Sequence, residues 1–78
     1  MVINMQARED VINIYRLIKD DKVVYIGISV NDPHKSRYYA HRQTKDFDIM
    51  EVFDYCEDSE SAYKENYWIQ YYDTKNNG

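Results

Sequence analysis

One cysteine, one proline and two glycines in 78 residues leave this chain little of the covalent and turn-forming scaffolding of a small domain. The lone Cys56 has no partner within the chain, which excludes the disulfide framework on which small secreted domains depend. A reducing compartment, the cytoplasm, is the expected location. Nowhere does the sequence approach the roughly 18 consecutive apolar residues of a membrane span. Met1 to Asp10 also lacks an apolar leader, so neither export nor a membrane partner is expected. Positive charge is scarce too: 10 basic against 14 acidic residues give a net of −4, so overall charge does not hold the molecule on nucleic acid. Any such contact must be local. Two domains are excluded by length, since a domain usually needs about 100 to 150 residues. A chain this short buries only about 60% of its unfolded surface, and a metal or a second copy would add to a thin core.

What the chain does have is tyrosine, nine residues of it, and charge sorted by position. Residues 33 to 45 hold Lys35, Arg37, Arg42 and Lys45 with no acid, and residues 46 to 60 hold Asp46, Asp48, Glu51, Asp54, Glu57, Asp58 and Glu60 with no base. One element is cationic and its successor anionic. Solvated faces that attract one another explain this without function. The cationic element is equally a local footprint for nucleic acid, with Lys35, Arg42 and Lys45 as substrate contacts.

Val11 to Ile18 and Val23 to Ile28 are rich in β-branched and aromatic residues and flank the polar Lys19-Asp20-Asp21-Lys22, the pattern of a hairpin. Asp32-Pro33 starts a helix, with Asp32 as N-cap and Pro33 at the first helical position, running to about Lys45. Ile49 to Tyr55 is a third strand with apolar groups on both faces. Asp58 and Ser59 are N-cap candidates for a last helix through Tyr72. The expected architecture is α+β, a small three-stranded antiparallel sheet with flanking helices in the order β-β-α-β-α. It forms one domain with residues 1–10 as an N-terminal extension.

Several polar residues sit oddly in these elements. At about 100° per residue Glu65 falls between Ile69 and Tyr72, a carboxylate in an apolar stripe that calls for a cation, a metal or a water-filled cleft beside it. His34, Arg37 and His41 recur at i, i+3 and i+7 and are expected to point the same way, a stripe suited to an anionic group. In the hairpin, a two-residue turn at Asp20-Asp21 pairs Tyr15 with Ile26 and turns Tyr25 away. A three-residue loop pairs Tyr15 with Tyr25 and puts both hydroxyls on one face. Asp-Asp lacks the glycine that primed two-residue turns favour, so the odd loop is expected. Gly27 leaves room for the backbone of a ligand, or marks a bulge. Tyr63, Tyr67 and Tyr71 form a second stripe on the last helix, placed to pack on the body, on the second subunit of a homodimer, or on bases.

Ile14-Tyr15, Tyr25-Ile26-Gly27, Arg37, His41 and Glu65, in this order, resemble the GIY-YIG nuclease family over nearly the whole chain, and Lys64 to Ile69 resembles the final helix of its phage-type homing endonucleases. The resemblance implies a divalent-metal-dependent endonuclease hydrolysing phosphodiester bonds, with DNA as the favoured substrate. Glu65 would hold a single Mg²⁺ or Mn²⁺, and Tyr25 or Tyr15 would act as general base. Arg37 would stabilise the phosphoryl transition state, and His41 would assist proton movement or position a phosphate. The family's late active-site asparagine has only Asn76 and Asn77 as counterparts. Asn13 stands where the first motif has glycine, setting an amide where substrate would approach, and Arg16 follows Tyr15 inside the hairpin. Two other readings compete: a degenerate relative acting as a nucleic-acid- or protein-binding inhibitor or adaptor, which the acidic run favours, and a structural dimer module.

Overall fold

A computed structural model of the chain describes residues 6–72, with only the backbone described at Ser36. Strands β1 (Ile12–Lys19), β2 (Lys22–Ser29) and β3 (Ile49–Cys56) form one antiparallel sheet in the order β2-β1-β3. Helices α1 (Pro33–Ser36) and α2 (Tyr38–Thr44) lie between β2 and β3. A 3-10 turn (Asp58–Glu60) leads into α3 (Ser61–Tyr72). The fold is thus α+β in the expected order, but the first helix is two short pieces. Asp32 caps the first as its side chain accepts from the His34 N–H (2.9 Å). The chain then breaks at Arg37, whose φ of −122° is too extended for a helix. The two N-cap candidates before α3 fall inside the 3-10 turn, and the Ser61 hydroxyl donates to the Asp58 carbonyl.

The hairpin corrects the expected loop. Asp20 and Asp21 form a two-residue turn with φ of 52° and 65°, a left-handed pair that Asp tolerates better than most residues. Lys19 faces Lys22 and Ile18 faces Val23, the even register. Then Val24 is left over as a bulge, Leu17 faces Tyr25, and Tyr15 faces Gly27. Tyr15 and Tyr25 do share a face, as diagonal neighbours rather than as a pair, because a bulge in the strand supplies the offset assigned to the turn.

Alternation along β1 divides the core. Tyr15 and Leu17 join Met50, Val52 and Phe47 on the face that carries Tyr38 of α2. Ile12 and Ile14 join Ile26 and Cys56 on the other, where Phe53, Trp68, Ile69 and Tyr72 pack. A second bulge, at Phe53, gives β3 apolar residues on both sides. Arg16 points to the α3 face and answers for its place in the hairpin. Its guanidinium pairs with the fully buried Glu51 (2.5 Å), donates to the Tyr72 hydroxyl (2.7 Å) and lies 4.8 Å from the Phe53 ring centroid. Asp54 holds α3 at two more points, accepting from Lys64 Nζ (3.2 Å) and Trp68 Nε1 (3.0 Å). Lys19 pairs with Asp46 and Asp48. Four of the seven acids between residues 46 and 60 therefore have internal cations, and the exposed remainder is Glu57, Asp58 and Glu60 at the head of α3.

Asn13 does not stand where a substrate would approach. It is fully buried, accepts from the Arg8 N–H (2.8 Å), and donates to the carbonyls of Arg8 (2.7 Å) and Ser29 (3.3 Å). The amide clamps the segment before β1 to the end of β2. The described part of the N-terminal extension is therefore attached, with Ala7 packed against the core and Tyr55 donating to the Gln6 carbonyl.

Candidate functional site

The site grows from Tyr15. Its ring is 2% exposed in the central strand, and its hydroxyl lies 2.7 Å from Nε2 of His41 on α2. Tyr25 completes the cluster from β2, its ring centroid 6.3 Å from that of Tyr15 and 4.8 Å from that of His41. Burial is the main force raising the Tyr15 phenol far above its ordinary value. The neighbouring Tyr25 and Glu65 raise it further, and Arg37 opposes them. Burial, with Lys45 and Arg37 nearby, lowers His41 below its ordinary value, so at neutral pH the imidazole is uncharged. With the ring neutral the contact has two senses: in the Nδ1–H tautomer the phenol donates to Nε2, and in the Nε2–H tautomer the ring donates to the phenol oxygen.

Gly27 has a different task from the one its sequence position suggests. A Cβ there would collide with the Tyr15 ring, so the missing side chain makes room for a cross-strand aromatic and not for a ligand; nor is Gly27 the bulge residue. Arg37 occupies the break between α1 and α2 and is exposed; its charge is felt at both Tyr15 and His41. Glu65 is half-buried on α3, which packs against β2, and its charge acts on Tyr15. It makes no ion pair with a described residue, and Lys64 beside it is held by Asp54. Of the five residues singled out from the sequence, Tyr15, Tyr25 and His41 meet in contact, and Arg37 and Glu65 reach Tyr15 through their charges alone.

The other expected contacts separate. His34 turns inward, Nε2 donating to the Met50 carbonyl (2.7 Å) and Nδ1 lying 3.3 Å from Asp32, so it does not join His41 at the tyrosines. Arg42 donates to the Tyr38 hydroxyl (3.2 Å) and the Phe47 carbonyl, tying the end of α2 to the core. Lys35 is exposed beside a cleft of about 490 Å³ between the N-terminal segment and α1, away from the tyrosines. Lys45 Nζ sits 4.7 Å from the centroid of the Tyr25 ring, a contact with no signal in the sequence. Asn76 and Asn77 lie outside the described residues. Tyr63, Tyr67 and Tyr71 do not pack on the body; they are 75%, 48% and 65% exposed.

No group of three or more His, Cys, Asp or Glu side chains is gathered for a metal among the described residues. Glu65 alone, a single carboxylate, is a donor set for a hard ion that retains most of its water and is unsuited to a fully protein-caged one. No protein-family model, curated protein or solved structure matches the chain.

Proposed function

We propose that the protein is a divalent-metal-dependent endonuclease of GIY-YIG type that hydrolyses phosphodiester bonds, with DNA as its substrate. The observation that carries the reading is the Tyr15–His41 hydrogen bond, with Tyr25 against the same imidazole and the charges of Arg37 and Glu65 acting on the same phenol. Hydrolysis needs a proton acceptor for water and a cation for the phosphoryl charge, and these side chains supply both. In the Nδ1–H tautomer of His41 the proton of the attacking water passes to a phenol oxygen and the phenol proton to Nε2, so no lasting phenolate is required at buried Tyr15. Tyr25, the more exposed phenol, borders the substrate side. Arg37, free of ion pairs among the described residues, faces the developing negative charge. Glu65 would hold Mg²⁺ or Mn²⁺, which when bound adds positive charge at the phosphate.

Pairing of Glu51 with Arg16 and of Asp54 with Lys64 supports this reading, because it takes two acids of the anionic run out of the charge that would repel DNA. No helix among the described residues is long and apolar enough to cross a membrane, and a buried free Cys56 suits the cytoplasm we propose. The exposed tyrosines of α3 favour a second reading, a binding adaptor or homodimer with no turnover. Supercoiled plasmid and structured RNA, incubated with Mg²⁺ or Mn²⁺ and with chelator, separate the two. The nuclease cuts only with metal, Glu65→Gln abolishes cutting without unfolding, and Arg37→Ala slows it by about 100- to 1,000-fold. Absence of cutting by the parent protein, or full activity of Glu65→Gln, refutes the proposal.

A further inference from the structure

Lys45 closes the cationic segment and, read from the sequence, belongs with Lys35 and Arg42 as a phosphate contact. Its surroundings give it another task. It is the residue at which α2 ends, with φ −134° and ψ 144°, and its N–H donates to the His41 carbonyl (2.7 Å). Backbone geometry therefore ties it to the same turn as His41. From there the ammonium reaches 4.7 Å from the centroid of the Tyr25 ring, which in turn lies 4.8 Å from the imidazole. A cation over a tyrosine face is attracted by the ring quadrupole, and more strongly where water is partly excluded.

We propose that Lys45 is a positioning residue of this site, its ammonium seated on Tyr25 to hold that ring against His41, and that it does not contact substrate phosphate. The proposal rests on the site described above and deepens the nuclease reading by separating the charges that meet substrate from one that serves the site's interior. Arg37 is left as the cation facing the phosphate. The charge of Lys45 also acts on His41 directly. The groups facing that imidazole are Tyr15 from β1, Tyr25 from β2, and Arg37 and Lys45 from either end of its own helix. Of these only the two cations are charged at neutral pH, and both disfavour the imidazolium that would end acceptance of the Tyr15 proton.

Lys45→Gln removes the charge at similar length, and Lys45→Arg restores it. Histidine-ring NMR titration is the first measurement, and it requires no enzymatic activity. In Lys45→Gln, His41 is expected to titrate at higher pH than in the parent, with altered Tyr25 ring shifts, and Lys45→Arg returns both toward the parent. Unchanged His41 titration and unchanged Tyr25 shifts in Lys45→Gln overturn the proposal. The second measurement is the salt dependence of binding to a DNA oligonucleotide duplex. If the ammonium met a phosphate, Lys45→Gln would reduce the slope of log affinity against log salt by about 1; an ammonium turned to Tyr25 leaves that slope unchanged. A slope reduced by that amount overturns the proposal. A parent protein that binds no DNA refutes the nuclease reading and leaves the NMR test of Lys45 intact.

Discussion

Replacing Gly27 by alanine adds one methyl group and, by the geometry of the sheet, directs it into the Tyr15 ring. The ring cannot retreat freely, because it is 2% exposed and packed among Leu17, Phe47, Met50 and Val52. Overpacking of this kind costs about 1 to 3 kcal/mol. Displacing the ring also breaks the hydrogen bond to His41, about 1 kcal/mol more. Alanine returns about 0.5 to 1 kcal/mol through the lower backbone entropy of its unfolded state. The net is a loss of about 2 kcal/mol, which in a domain of this length lowers the melting temperature by about 8 to 16 °C. Thermal unfolding followed by far-ultraviolet circular dichroism measures it. The cause is isolated by a double-mutant cycle: in a Tyr15→Leu background, where no ring lies across the strand, Gly27→Ala should cost almost nothing, while a Tyr15→Phe background should keep the overpacking part of the penalty and lose the part owed to the hydrogen bond. A Gly27→Ala protein that melts within about 2 °C of the parent would refute the ring-in-glycine pairing; unimpaired stability with weakened nucleic-acid binding would restore the alternative, a glycine kept clear for a ligand.

The same cluster sets limits on pH. His41 titrates lower in the fold than its ordinary 6.5, so the native state takes up its proton less readily than the unfolded chain; the stability this contributes is present above about 6.5 and is lost as pH falls toward the folded value. Tyr15 is raised from 10.0, so stability is expected to fall again as pH climbs above 10, and Tyr15→Phe should remove that alkaline limb in urea titrations at a series of pH values. On the opposite face, Arg16→Met strands the carboxylate of Glu51, one oxygen of which already lacks a protein partner. That change should cost about 3 to 5 kcal/mol, read as a lower urea midpoint at constant slope, while the joint Arg16→Met, Glu51→Leu protein recovers at least half of the loss.

Local chemistry was the legible part of the sequence. Asp32-Pro33 announces a helix because a cap and a proline act within a few residues of themselves, and the strands announce themselves through β-branched and aromatic runs. Tyr15, Tyr25, Arg37, His41 and Glu65 could be named because their spacing, not their contacts, was informative. What the sequence hid depends on pairing across distance. Val23-Val24 offers no cue to which valine will bulge, since both are equally good strand residues. The break at Arg37 carries no glycine or proline to mark it. Asn13 and Arg16 read as departures from a motif until the Arg8 backbone and Glu51, each brought close only by folding, give them partners. His34 follows the helical spacing of His41, yet a carbonyl on β3 captures it.

The leftover valine in β2 works as a parity converter. For a ribbon of this length, everything past it in the ladder depends on whether turn and bulge together leave an odd or an even number of residues unpaired. The tip of the ribbon can therefore be rebuilt, or lengthened by one residue with Val24 removed in exchange, while both phenols stay beneath α2. The same two-residue turn without the bulge would carry Tyr25 through the plane of the sheet to the side of Trp68, dismantling the chemistry while leaving the hairpin itself paired.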